Sequence, residues 1–122
     1  MSKHALILFG HGARDPRWAE PFERLATKLR ARRSEPVSLA FLELMPPDLP
    51  TAIEHMAADG CDAVTVVPVF FGQGGHIRRD LPELLDRCRA MFPSITIRCA
   101  TAVGEDDSVL DAVAAYCVRQ IE

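Results

Sequence analysis

The sequence predicts an α/β fold: a four-stranded parallel sheet flanked by helices on both faces, in the chain order βαβαβαβα. Three observations carry this prediction. Four short apolar runs, partly β-branched, recur along the 122 residues. Each is followed by a segment with helical period, and an aspartate–proline signal opens three of those segments.

The first strand is read at "ALILF" (5–9) and the third at "AVTVVPVF" (63–70). Both are nearly continuous apolar runs, as expected of central parallel strands covered on both faces. The second strand is read at "VSLAFL" (37–42) and the fourth at "ITIRCA" (95–100). Between and after them lie four apolar stripes of helical period: Trp18, Phe22, Leu25 and Leu29; Leu49, Ile53 and Met56; Leu81, Leu84, Leu85 and Cys88; and Leu110, Val113, Ala114, Cys117 and Ile121. Asp15-Pro16, Asp48-Leu49-Pro50 and Asp80-Leu81-Pro82 read as helix starts. An aspartate oxygen accepts the free N–H groups of a first turn, and proline loses nothing there. "GEDDS" (104–108) supplies acidic caps for the last helix, Gly60 stops the second and Pro93 ends the third. Right-handed crossovers then favour the order 2-1-3-4, with a switch point between strands one and three.

The length predicts one domain, 1–122, and the composition, 48% hydrophobic and 25% charged, predicts a soluble globular protein. A net charge of −3 argues against nucleic acid as the main partner. Ala5–Phe9 is too short for a secretion signal, and no run is long enough to span a bilayer, so a cytoplasmic protein with no membrane partner is expected. Cys61, Cys88, Cys99 and Cys117 lack C-x-x-C spacing and read as small buried hydrophobes kept reduced.

Chemistry concentrates after strands one and three. "FGHGARDPRW" (9–18) and "FFGQGGHIRRDLP" (70–82) share a pattern: His11 and His76 each stand four residues before an aspartate that begins a helix, with an arginine directly before it. On the expected topology both imidazoles open into one crevice. Neutral imidazole binds divalent first-row metals and acts as a base near neutral pH. Two histidines without cysteine partners make a weak site, suited to passing an ion on. Singly, each histidine could equally be a turn or capping residue. Glycines, among them Gly74 and Gly75, let the backbone approach a large flat ligand. Arg14, Arg17, Arg78 and Arg79 suggest a substrate bearing several carboxylates or phosphates. Glu43, after the second strand, is either a third site group, for protons or metal, or a solvated loop acid. His4 and His55 lack such company and read as structural or exposed.

Other chemistries fit less well. The sequence contains neither a G-x-S-x-G elbow nor a phosphate-binding G-x-x-x-x-G-K-[ST] loop, and "GQGG" (72–75) lacks dinucleotide spacing. A histidine phosphatase normally has arginine directly before its nucleophile, where Gly10 stands here.

"FGHGARDP" (9–16), "FLELMPPDLPTAIE" (41–54) and "VVPVFFGQGGHIRRDLPELL" (66–85) together resemble the sirohydrochlorin chelatase family, the class II tetrapyrrole chelatases, in its short single-lobe form. The resemblance spans nearly the whole chain in order and spacing. It implies ATP-independent insertion of a divalent metal into sirohydrochlorin, on the route to cobalamin, siroheme or F430-type cofactors. It implies that His11 and His76 bind metal and catalyse, with a carboxylate at Glu43. No organic cofactor is implied, and the metal is a substrate: Co²⁺ by preference, Fe²⁺ or Ni²⁺ otherwise. Larger chelatases of this class have two such lobes, so a homodimer that completes the cleft is expected. A non-enzymatic metallochaperone or tetrapyrrole carrier is the competing reading. Ala13 departs from the common serine, and Gly72 and Gly75 enrich the third-strand loop in glycine, without removing a ligand.

Overall fold

The structure, a computed structural model, describes residues 3–72 and 74–122, and for Gly75 and His76 the backbone alone. Its strands are β1 (His4–Gly10), β2 (Val37–Phe41), β3 (Ala63–Pro68) and β4 (Thr96–Cys99), within two residues of the expected bounds. They pair in parallel in the order β2-β1-β3-β4, as the crossover rule predicts. Helix α1 (Glu20–Arg32) covers one face, where Phe22 and Ala26 pack on Leu8, Leu39 and Phe41. Helices α2 (Leu49–Ala58) and α3 (Gly75–Met91) cover the other, where Leu49, Ile53, Leu85 and Cys88 join Ile7, Phe9, Val64 and Val66. Strand β1 is therefore buried on both sides, which explains its unbroken apolar run. Each fully buried Leu, Ile or Phe contributes about 1.5–3 kcal/mol of transfer free energy.

Two of the aspartate signals work as expected. Asp15 caps a 3-10 turn (Pro16–Ala19) that leads into α1, accepting from the Arg17 N–H at 3.0 Å. Asp48 caps α2, accepting from the Thr51 N–H at 2.9 Å. Hydrogen bonds from Thr51, its side chain first and its backbone N–H second, hold the Asp48 carboxyl below the usual carboxylate range. The stabilisation it carries is thus complete above the ordinary carboxylate pKa and disappears as pH falls through the lowered one. Asp48→Ala is expected to cost about 1 kcal/mol in urea denaturation at neutral pH, and the gap to the natural protein should close in acid.

The third signal is corrected. Helix α3 begins at Gly75, not at Asp80, and Pro82 is its eighth residue. The added turn is favoured because Ile77 joins the core beside Leu81, and the Arg78 N–H donates to the Gly74 carbonyl at 3.0 Å. These gains outweigh the hydrogen bond that Pro82 cannot make. His76 accordingly lies on the first turn of a helix, whereas His11 lies in a loop, so the two motifs match in sequence and not in backbone conformation.

A second correction concerns α4 (Asp107–Arg119), capped by Asp106 as expected through the Val109 N–H at 3.2 Å. Its apolar stripe buries nothing: Leu110, Val113, Tyr116, Val118 and Ile121 are all exposed, and the helix packs on the 3-10 turn Val103–Glu105 instead of the sheet. That turn is tied to the exit of β3, the Gly104 N–H donating to the Phe70 carbonyl at 2.9 Å, and the chain leaves the sheet from there. Cys117 is exposed with it, against the expectation of four buried cysteines; Cys61 and Cys88 are buried and Cys99 partly so. Burial pushes the Cys61, Cys88 and Cys99 thiols up from their ordinary pKa. Among the described residues, no helix is long and apolar enough to cross a membrane.

Candidate active site at the switch point

The register sets Gly10 opposite Phe41 and Phe9 opposite Pro68, so three strands end level and their following loops emerge together. His11 is the first residue past β1. Beneath it Trp18, Phe22 and Phe41 form an aromatic cluster, with centroids 4.9 Å apart for Trp18–Phe22 and 5.7 Å for Phe22–Phe41. The glycines on either side of His11 answer two different demands. A Cβ on Gly10 would stand 2.7 Å from the Phe22 ring. Gly12 has φ +98°, and a Cβ there would stand 1.8 Å from the Glu43 carbonyl oxygen.

That contact aligns the second loop. The Leu42 N–H donates to the Gly10 carbonyl at 2.9 Å and the Glu43 N–H to the His11 carbonyl at 3.2 Å, extending the β1–β2 ladder past the strands. Leu44 then turns at φ 70°, a left-handed conformation that costs a bulky residue about 1–3 kcal/mol. The outcome is a pair: His11 Nε2 lies 3.2 Å from Glu43 Oε1, with the two side chains 41% and 49% exposed. Glu43 is therefore a partner of His11 and not a free loop acid. A carboxylate only accepts, so in this pair Nε2–H donates and Nδ1 keeps its lone pair. Without the proton, the same two atoms can grip an ion. Metal–ligand distances of about 2.1 Å and the 3.2 Å separation give a ligand–metal–ligand angle of roughly 100°, near tetrahedral.

The remaining candidates are distributed around this pair. The backbone of His76 lies on the first turn of α3, after the neighbouring strand β3; its side chain, and hence its approach to His11, lies outside the described residues, as does the side-chain position of Gly75. Gly74 caps α3, and a Cβ there would meet no protein atom within 4 Å. Arg78 and Arg79 are exposed on that first turn. Arg14 is exposed and lines a hollow of about 690 Å³ between α1, β2 and residues 44–47. Arg17 is already engaged: its guanidinium grips Asp15 through contacts of 3.1, 3.1 and 2.7 Å and holds that carboxyl below its ordinary pKa. Glu43 itself borders a second hollow of about 710 Å³ along residues 41–48. Among the described residues, no three His, Cys, Asp or Glu side chains converge on one metal position. Two apolar residues were not anticipated: Leu44 and Phe71, 55% and 68% exposed, each three residues past the end of its strand. Nothing in their periodicity marks them; only the level strand ends bring them near the rim.

An open α/β lobe carrying an imidazole–carboxylate pair at its topological switch point belongs to the doubly wound class that binds ligands beyond its strand ends. Within that class the chain belongs to the CbiX family, whose model matches residues 5–119. It is 35% identical over 83 residues to the sirohydrochlorin cobaltochelatase of Methanothermobacter thermautotrophicus, a match covering 68% of this chain and 58% of that protein. It is 30% identical over 112 residues to the sirohydrochlorin ferrochelatase of Bacillus subtilis, covering 91% of this chain and 43% of that one. The chain thus spans about half the length of these curated relatives. The crystal structure of a CbiX protein from Marinobacter aquaeolei VT8 superposes with a TM-score of 0.87 at 33% identity, over 97% of both chains.

Proposed function

We propose that the protein inserts a divalent metal ion into sirohydrochlorin without ATP, with Co²⁺ as its ion and Fe²⁺ or Ni²⁺ as the alternatives. The observation that carries this is the His11–Glu43 pair, 3.2 Å apart on the switch-point rim of a CbiX-family lobe. In the reaction two pyrrole N–H bonds break and metal–nitrogen bonds form, so two protons leave as one dication enters. The pair suits both halves of that exchange. Its nitrogen and oxygen hold an arriving ion weakly enough to surrender it, and once the ion has passed they accept the released protons and pass them to water. His76, on the first turn of α3, is the second imidazole of the site. Arg14, Arg78 and Arg79 bind the carboxylates of the macrocycle; Arg17, held by Asp15, contributes less. Gly74 and Gly75 admit its edge, and Leu44 and Phe71 offer it apolar surface. No organic cofactor takes part.

We place this activity in the cytoplasm, where free cysteines stay reduced, and assign it to residues 1–122 acting as one lobe. The rim is half exposed in a single copy, and a second copy closes it. The test is purified protein with sirohydrochlorin and Co²⁺, Fe²⁺ or Ni²⁺ separately, followed by absorbance. Acceleration over the spontaneous rate with one of the ions is expected; binding of ion or macrocycle without acceleration would make the protein a carrier instead. Arg79→Ala is expected to raise KM severalfold with kcat nearly unchanged, because a carboxylate contact away from the reacting nitrogens binds substrate and transition state alike.

A further inference from the structure

One face of the sheet is half covered, and one helix has an apolar side with nothing on it. We propose that the two meet between copies of the chain, α4 of each subunit seating on the β3–β4 face of the other. This deepens the homodimer just described and rests on that reading only for the existence of a second copy.

The open face lies beside α1. On β4, Ile97 points towards α3 and is 6% exposed, while Thr96 and Arg98, on the opposite side, are exposed. On β3 the same side carries Val67, only partly buried. Between α1 and this strip runs a groove of about 260 Å³, with Leu6, Leu29 and Val37 as its apolar walls and Arg33 and Arg98 at its edge. A helix following the last strand of a doubly wound sheet normally returns to this place. Here the Gly104–Phe70 hydrogen bond directs α4 away from it.

Helix α4 needs a surface. It has 13 residues and no buried ones, a length at which a helix without packing is marginal in water. Leu110, Val113, Ala114, Cys117 and Ile121 share one side, and at 3.6 residues per turn Asp107 and Asp111 border it. The charges complement the groove: among the described residues Arg98 has no ion-pair partner, and the acidic border of an incoming α4 supplies one. Exchange satisfies both surfaces at once. Each copy gives one helix and receives one, so the contact is isologous and closes at two.

The mass of the full chain by light scattering tests this without any substrate. A dimer is expected for the natural chain, and a monomer with unchanged far-UV circular dichroism for Val113→Glu combined with Cys117→Glu, since both positions are exposed in a single copy. A copy carrying Arg98→Cys and Cys117→Ser, mixed with the natural chain and treated with a short bismaleimide, should yield a link between different copies. Cys117 should react slowly with a thiol reagent in the dimer and faster on dilution. A monomeric natural chain, a dimer that survives the double substitution, or Cys117 reacting equally fast at every concentration would overturn the exchange. So would a single Arg98→Cys variant whose introduced thiol links only to Cys117 of its own chain. None of these results bears on metal insertion, and absence of insertion by a protein that passes all of them would overturn the chelatase reading alone.

Discussion

His11→Ala is expected to lower kcat/KM for metal insertion by at least about 10²-fold, with the fold intact. The imidazole is 41% exposed and stands beyond the last paired residue of β1, so its removal leaves no core cavity. Its loss takes away one of the two atoms that can grip the ion, and the base that lies nearest the carboxylate. Glu43→Gln is the companion test. The amide keeps the shape of the side chain but offers an ion one neutral oxygen, and it cannot take a proton. A fall of about 10–100-fold is expected, the range typical of a group that supports a metal ligand. If His11→Ala retained full activity while Glu43→Gln lost it, the carboxylate would be the working base and His11 its anchor. Full activity in both would remove the pair from the mechanism. Single-turnover absorbance traces at saturating metal separate delivery of the ion from binding of the macrocycle.

The level of the strand ends was legible because it follows from local signals. Four apolar runs, their caps and the handedness of crossovers leave few orders, and the observed β2-β1-β3-β4 is the favoured one. Once β2 lies beside β1, Glu43 must emerge near His11, so the neighbourhood of the pair could be inferred even though its geometry could not. The start of α3 was misread because Asp80-Leu81-Pro82 copies two genuine starts. Only the burial of Ile77 reveals that the helix runs through the signal. For α4 the periodicity was correct and the inference drawn from it was not. An apolar stripe says that a helix has a side to bury, and it does not say against whose surface. The same limit hid Leu44 and Phe71, whose exposure depends on where two loops turn and not on any pattern within them.

Gly12→Ala should be the most damaging small substitution in the chain. Two costs combine at this position. The φ of +98° is one an alanine rarely adopts, and the added methyl would lie 1.8 Å from the carbonyl oxygen of Glu43, a backbone atom with no rotamer to escape into. Roughly 3 kcal/mol or more of stability should be lost, measurable as a lower urea midpoint with an unchanged m-value. Stability is only part of the effect. Relief of the clash requires the 42–44 segment to move off the β1 exit, which breaks the Glu43–His11 backbone bond at 3.2 Å and carries the carboxylate away from the imidazole. The variant should therefore be slow even under conditions where it is fully folded. Gly74→Ala supplies the contrast, because its φ of −67° is ordinary and a methyl meets no protein atom within 4 Å. Its stability should stay within about 0.5 kcal/mol of the natural protein, so any rise in its KM reports the macrocycle and not the fold. Equal stability for Gly12→Ala and Gly74→Ala would show that the His11 loop does not depend on its close approach to Glu43.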